Sequence, residues 1–442
     1  VRFLAADPWH AASRNPHPYE AIGRIAAGRS DGADLGPLIL RFRLGRGMID
    51  RWAVDVPDTI VRMQQGLGPV TEDGVPAPDG TAAVDDGILK ADDGIAMDWE
   101  LDRARTESGQ PYFAHPYADY WRHALIAHLL RCAAERGLAL PFAGCWPDGI
   151  ESVAMISHDS DHNRDEHALA ALDILKECGI RSTWCMLEPG YSAEIYERVK
   201  AAGHELAFHY NALESQDGEW SEREFARQLA WLKRAAGLET VVSNKNHYTR
   251  FEGWDELFAW AEKHGVASDQ TRGPSKRGNV GFLFGTCHPY FPAAWANRNN
   301  RIFNVLEIGF LTQDMNLPNW SDASIIRPFL DRVGETGGVA HFLFHQTHIH
   351  SQSAVRDAFR RLAEEARRRG MPFWTGREVN DWVRARRRVR IAGLDASGAP
   401  VLAGARPPAG FVVWVPAPET APASAESPVE MRFGMPCRKF VY

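Results

Sequence analysis

The chain has 442 residues, 45 % of them apolar and 24 % charged, a length for two or three domains and a composition that excludes wholesale disorder. A formal net charge of -7 excludes a broad basic field, so nucleic acid is not an expected partner and small-molecule or glycan chemistry fits better. No run approaches the roughly 18 apolar residues that span a bilayer, so no transmembrane segment is expected, and a cytoplasmic protein is preferred over an exported one, a signal trimmed ahead of Val1 being the alternative.

Taken in chain order, residues 1–149 read as an accessory α/β region. Strand-like stretches fall at 38–43 and 52–56, a Gly/Pro/Asp loop at about 66–95, and a helix near 118–136. Gly28-Arg-Ser-Asp-Gly32 formally fits the Gly-x-Ser-x-Gly turn of serine esterases, but a loop sequence follows where that motif needs a helix. The six cysteines show no Cys-x-x-Cys spacing, which argues for buried free thiols over a zinc ribbon or disulfide scaffold.

From 150 to 385 short apolar runs alternate with helical patterns. Strands are expected at 152–157, 182–187, 206–209, 240–243, 302–308 and 339–344. Helices are expected at 165–178, with Gly179 as its stop, at 192–203, from Ser221 through Phe225, Leu229 and Leu232, and at 254–264, 322–334 and 353–369; Ser221-x-x-Glu224 reads as a capping box. Repeated β-α units build a parallel sheet, open or closed into a barrel, with reactive groups at the C-terminal strand ends. Residues 386–442 look β-rich, with a Pro/Ala/Ser/Glu loop at 416–428.

Four of the expected strand ends carry titratable clusters. Asp159-Ser-Asp161 can aim two carboxylates into one mouth, although an Asp-x-Asp at a β-α junction is more often a helix cap or hydrated turn. Gly203-His-Glu-Leu-Ala-Phe-His209 delivers a histidine, Ser243-Asn-Lys-Asn-His-Tyr-Thr-Arg250 a lysine and a second histidine, and His341-Phe-Leu-Phe-His-Gln-Thr-His-Ile-His350 four more. Four such ends on one sheet exceed what capping accounts for.

In that order the motifs resemble the polysaccharide deacetylase family, carbohydrate esterases with a distorted β/α barrel. The resemblance covers residues 150 to about 385 and implies a barrel of about seven strands, with the accessory region before it and the small β-rich domain, 386–442, after it. It implies Asp159 as general base, Asp161 and His209 as ligands of a divalent metal, most simply zinc, Lys245 in the place of the arginine that orients the base, and His345 as the acid that protonates the leaving group. The family's second metal histidine lies four residues beyond the first, where this chain has Leu213. His247 is the first candidate for the missing ligand, and His162, Asn211 and His348 are the others. Residues 36–66, through Leu44-Gly-Arg-Gly-Met48 and Gln64-Gln-Gly66, resemble part of the amidotransferase-like domains fused to such enzymes; the first cysteine is Cys132, so that activity is excluded for this segment.

The expected activity is removal of N- or O-acyl groups from a carbohydrate substrate by a metal-activated water. Two alternatives keep the fold: a glycan-binding descendant without catalysis, and a metal-dependent amidohydrolase opening a cyclic amide or ureide. Tyr248, Trp254 and Trp320 are candidates for stacking on a sugar ring.

Overall fold

The structure, a computed structural model, describes residues 1–9, 19–82, 87–296, 299, 301–317, 320–417 and 429–442. Its centre is the stretch Val153–Asp159 (β1), sequence VAMISHD, which is buried along its whole length. A strand covered on both faces has no solvent side to make polar, so its apolar run is continuous rather than alternating.

Beside it lie Thr183–Met186 (β2), Glu205–Tyr210 (β3), Ser243–Asn246 (β4), Ser268–Asp269 (β5), Leu306–Glu307 (β6) and Val339–Leu343 (β7). The order across the sheet is β6-β5-β4-β3-β2-β1-β7, and every pairing is parallel. Beyond β6 the chain turns toward β7: Leu311 N–H donates to His341 O and Leu343 N–H to Thr312 O, so an irregular stretch joins the two sheet edges. The result is the expected α/β architecture, a seven-stranded parallel sheet curled toward a barrel.

The crossovers are helices. Asp165–Cys178 (α1) ends at Gly179, which takes the left-handed conformation that stops a helix. Ala193–Ala201 (α2), Glu222–Ala235 (α3) and Glu256–His264 (α4) follow β2, β3 and β4. On α3 Ser221 caps the Glu224 N–H at 3.2 Å, but the Glu224 carboxylate turns away to Arg227 and Gln228, so only half of the expected capping box forms. Ile326–Thr336 (α5), Gln346–Ser351 (α6), Ser353–Arg368 (α7) and Gly376–Arg388 (α8) complete the layer.

Some expected elements move. The strand read at 240–243 forms at Ser243–Asn246 because its side chains are satisfied inside the sheet: Asn244 donates to Asp269 at 2.7 Å and Ser243 meets Ser268 at 2.9 Å. Of 302–308 only Leu306 and Glu307 join the sheet, since Phe303 N–H turns to Pro292 O. The run 52–56 is not a strand; Trp52 ends the strand Gly47–Trp52, and Asp55 caps the helix Val56–Gln65.

The accessory region docks on the barrel through backbone bonds. Phe113 N–H donates to Val280 O at 2.7 Å and Phe282 N–H to Phe113 O at 3.0 Å, an approach that leaves no room for a side chain at Gly281. The loop expected at 66–95 packs over the sheet's C-terminal side, pairing Val70 with Gly253 and Lys90 with Arg250; its residues 83–86 lie outside the described residues. Gly28 to Gly32 forms the turn between Ile25–Ala26 and Asp34–Gly36, with no helix after it. The helix expected near 118–136 is Tyr117–Ala134.

In the C-terminal region Val412–Pro416 pairs antiparallel with Met435–Val441 and, on its other edge, with Phe142–Ala143 from the segment preceding the barrel. Of the loop expected at 416–428, residues 418–428 lie outside the described residues. All six cysteines are free. Among the described residues no helix is long and apolar enough to cross a membrane.

Candidate metal centre

β1 ends on Asp159, and the chain then turns back with Ser160 N–H on Cys185 O, which leaves Asp161 over the C-terminal edge of the sheet. Parallel pairing in register sets His209 of β3 beside Lys245 of β4, and His247 follows two residues on. Asp161, His209 and His247 each present one ligand atom, all within 4.8 Å of one another.

Hydrogen-bond partners fix which nitrogens are free. His209 Nδ1 lies 2.8 Å from Lys245 O, a carbonyl that can only accept, so Nδ1 carries the proton and Nε2 a lone pair. His247 Nε2 lies 3.1 Å from Gln216 Oε1 and donates to it, leaving a lone pair on Nδ1. Those two lone pairs face each other at 3.2 Å, with Asp161 Oδ1 3.5 Å from the first and 3.4 Å from the second. Asp161 Oδ1 is buried without a hydrogen-bond donor.

Three converging acceptors without a donor attract a cation. A proton bridges two of them; a metal ion satisfies all three. Two imidazoles and a carboxylate are also a donor set for catalytic zinc, which leaves a position open. Asp161 is fitted to the charged form: burial opposes ionisation, but the His345 imidazolium holds its pKa well below the ordinary carboxylate range.

Two other groups have comparable spacing and a different balance. Asp50 Oδ2 already receives Arg41 at 2.9 Å and His128 Nε2 at 2.9 Å, with Cys132 close by. Asp314 Oδ2 receives Nδ1 of both His345 and His348. Donors saturate both carboxylates, so neither group needs a cation.

Around the triad stand a base and an acid. Lys245 Nζ lies 3.1 Å from Asp159 Oδ1, while Asp159 Oδ2 faces the triad at 3.7 Å from His209 Nε2. Burial works against the charge on Asp159, yet Lys245 and His345 overcome it and lower its pKa. His345 Nε2 lies 3.5 Å from Asp161 Oδ2. Burial disfavours its proton, but Asp314 and Asp161 outweigh this and raise its pKa to about 10. Asp314 in turn falls to about 2, because His345 offsets the effect of burial.

All six residues expected at the site are therefore gathered at one end of the sheet. Of the alternatives for the third ligand, His162 is exposed and Asn211 is committed to Leu213 N–H and Gln216 O. His348 is bound to Asp314, and Leu213 itself is buried. Asp314 had no expectation attached to it; it sits in the irregular stretch after β6, and only its two histidine partners mark it. Tyr248 is half exposed with its ring 4.8 Å from that of His247, whereas Trp254 is buried with its indole N–H on Ala293 O.

No family model matches the chain, and no curated protein matches it. Solved structures do. A candidate polysaccharide deacetylase from Mycobacterium smegmatis aligns over 55 % of this chain and 93 % of its own at 17 % identity, with a TM-score of 0.40. A family 4 carbohydrate esterase from Streptomyces lividans, solved with acetate, aligns over 51 % and 93 % at 13 % identity and a TM-score of 0.31. A CE4 family pseudoenzyme from Bacillus anthracis aligns over 53 % and 67 % at 13 % identity, also with a TM-score of 0.31.

Proposed function

We propose that the protein is a metal-dependent hydrolase that removes acyl groups from a carbohydrate, with Asp161, His209 and His247 as ligands of a zinc ion. The observation that carries the proposal is the set of three acceptors without a donor, bordered by an ion-paired carboxylate and by a cationic imidazole. The carbohydrate substrate comes from the resemblance of Asp159-Ser-Asp161 and Gly203 to His209 to the deacetylase motifs. In this reading the barrel, 150–385, holds the chemistry, and the regions 1–149 and 386–442 support it.

A divalent ion at the triad supplies Lewis acidity, polarising an acyl carbonyl and making a water molecule acidic enough to attack near neutral pH. The protein's own groups do the rest. Lys245 occupies Oδ1 of Asp159, which leaves Oδ2 to accept the proton of the attacking water. Lys245 also keeps that carboxylate ionised between turnovers. Asp314 fixes His345 by Nδ1 and sustains its charge, so Nε2 holds the proton that the departing amine or alcohol needs. The carboxylate base and the imidazolium acid thus both border the ligand set, and acetate and the deacylated sugar are the products.

The experiment is acetate release from acetylated oligosaccharides by zinc-loaded protein. Asp159→Asn should abolish turnover while bound zinc, measured by elemental analysis, stays at the wild-type level. Acetate release unchanged by that substitution would remove Asp159 as the base.

A further inference from the structure

We propose that Ser157 and His341 are positioning residues for Asp159, acting through Lys245: together they lock the ammonium in the one place where it holds Oδ1 and leaves Oδ2 free. The inference rests on the assignment of Asp159 as the base, and adds two residues from the interior of β1 and β7 that do not touch the triad.

The direction of every hydrogen bond in this group follows from its partners. His341 Nδ1 is 3.1 Å from Ile308 O, so it donates and Nε2 is an acceptor. Nε2 is 2.8 Å from Ser157 Oγ, so the hydroxyl proton points to His341. With that proton engaged, Ser157 Oγ offers its lone pair to Lys245 Nζ at 2.6 Å. Lys245 then sends a second proton to Asp159 Oδ1 at 3.1 Å, and the face of Phe310 lies 5.0 Å from the same nitrogen. Ser157, Lys245 and His341 are each 0 % exposed, so no water is at hand to replace a lost bond. Burial and the nearby ammonium push His341 down to about 3, so it is neutral at working pH and the direction of the chain holds.

A buried lysine needs partners in any case, and satisfaction alone would make these residues matter only for stability. The arrangement asks for more than that. A four-carbon stem is flexible, and a lysine bonded only to Asp159 can swing between the two carboxylate oxygens. Ser157 blocks that swing by holding Nζ on the Oδ1 side, and His341 blocks the hydroxyl from turning its own proton toward Lys245. Loss of either therefore removes the orientation of the base rather than its charge.

The test compares zinc-loaded wild type with Ser157→Ala, Ser157→Thr and His341→Leu, using 4-nitrophenyl acetate and penta-N-acetylchitopentaose as probes. Expected are losses in kcat of about tenfold or more for Ser157→Ala and His341→Leu with KM and zinc content unchanged, and recovery to within about threefold in Ser157→Thr, which keeps the hydroxyl. Nitrogen-15 NMR of labelled histidines gives a readout independent of turnover. In wild type the His341 signals, identified by their absence in His341→Leu, should show a protonated Nδ1 and a bare Nε2. A wild-type kcat in Ser157→Ala, or a protonated Nε2 on His341, overturns the inference. If wild-type protein releases no acetate from any acetylated probe, the hydrolase assignment fails, and the NMR tautomer then decides the hydrogen-bond chain by itself.

Discussion

His247 occupies the third corner of the triad although it lies on a different strand from His209, and Leu213, four residues beyond His209, is buried with its N–H on Asn211. The ligand set is thus spread over the exit of β1, β3 and the exit of β4, so each ligand is removable without disturbing its neighbours' backbone. His247→Ala should weaken zinc binding by about tenfold or more while leaving the thermal midpoint of metal-free protein nearly unchanged, as measured by titration against a zinc chelator. Wild-type zinc affinity in that variant would return the third position to another residue. At this scale the clusters that hold Asp159, Asp161, His209, Lys245 and His345 were legible near expected strand ends, and the resemblance to the deacetylase motifs singled out these residues within them. Asp314 was not legible, because a lone aspartate in an irregular stretch has no periodic pattern around it. Ser157 drew no notice and His341 only as one of a cluster, for the opposite reason: as strand-interior polar residues they look like breaks in an apolar run, and only their mutual hydrogen bond explains them.

Among the elements, helices with an amphipathic stripe were found nearly to the residue, as α1 and α7 show, since a 3.6-residue period over three or more turns is hard to mistake. Strands fared worse where the sheet interior is polar. β4 reads Ser-Asn-Lys-Asn, and β5 is two residues long, so hydrophobicity points to the apolar stretch before β4 and passes over β5 altogether. The helix α8 carried a usable signal that was passed over: Thr375 and Glu378 form a complete capping box. On α3 only the Ser221 arm is made, so Ser221→Ala should cost about 1 kcal/mol, measured by urea unfolding, whereas Glu224→Gln should leave the cap intact. A silent Ser221→Ala would mean that the helix start is held by packing of Phe225 instead.

For the whole molecule, the burial of neutral histidines sets a response to acid. Burial lowers His158 and His341 to about 3, and His123 and His204 to about 4, from an ordinary value of 6.5. Below 6.5 the unfolded chain takes up protons that the folded chain refuses, so stability falls as pH drops through that window and levels off only near the folded values. Urea midpoints should decline steadily between pH 6.5 and about pH 4, and His123→Phe, remote from the site, should flatten part of that slope. A midpoint independent of pH over this range would show that these imidazoles are not held neutral.

The pairing of Phe142–Ala143 with Val412–Pro416 carries a consequence for how the molecule is made. A ribosome delivers the earlier strand long before its partner exists, and the entire barrel must emerge in the interval. A barrel that folds as it emerges does so with that edge still bare, and the sheet closes over it only after residues 412–416 have been made. A nascent chain arrested ahead of residue 412 should accordingly be digested in the 136–150 segment by a protease that leaves the released protein uncut there, which would make the arrival of residues 412–416 the step that seals this edge.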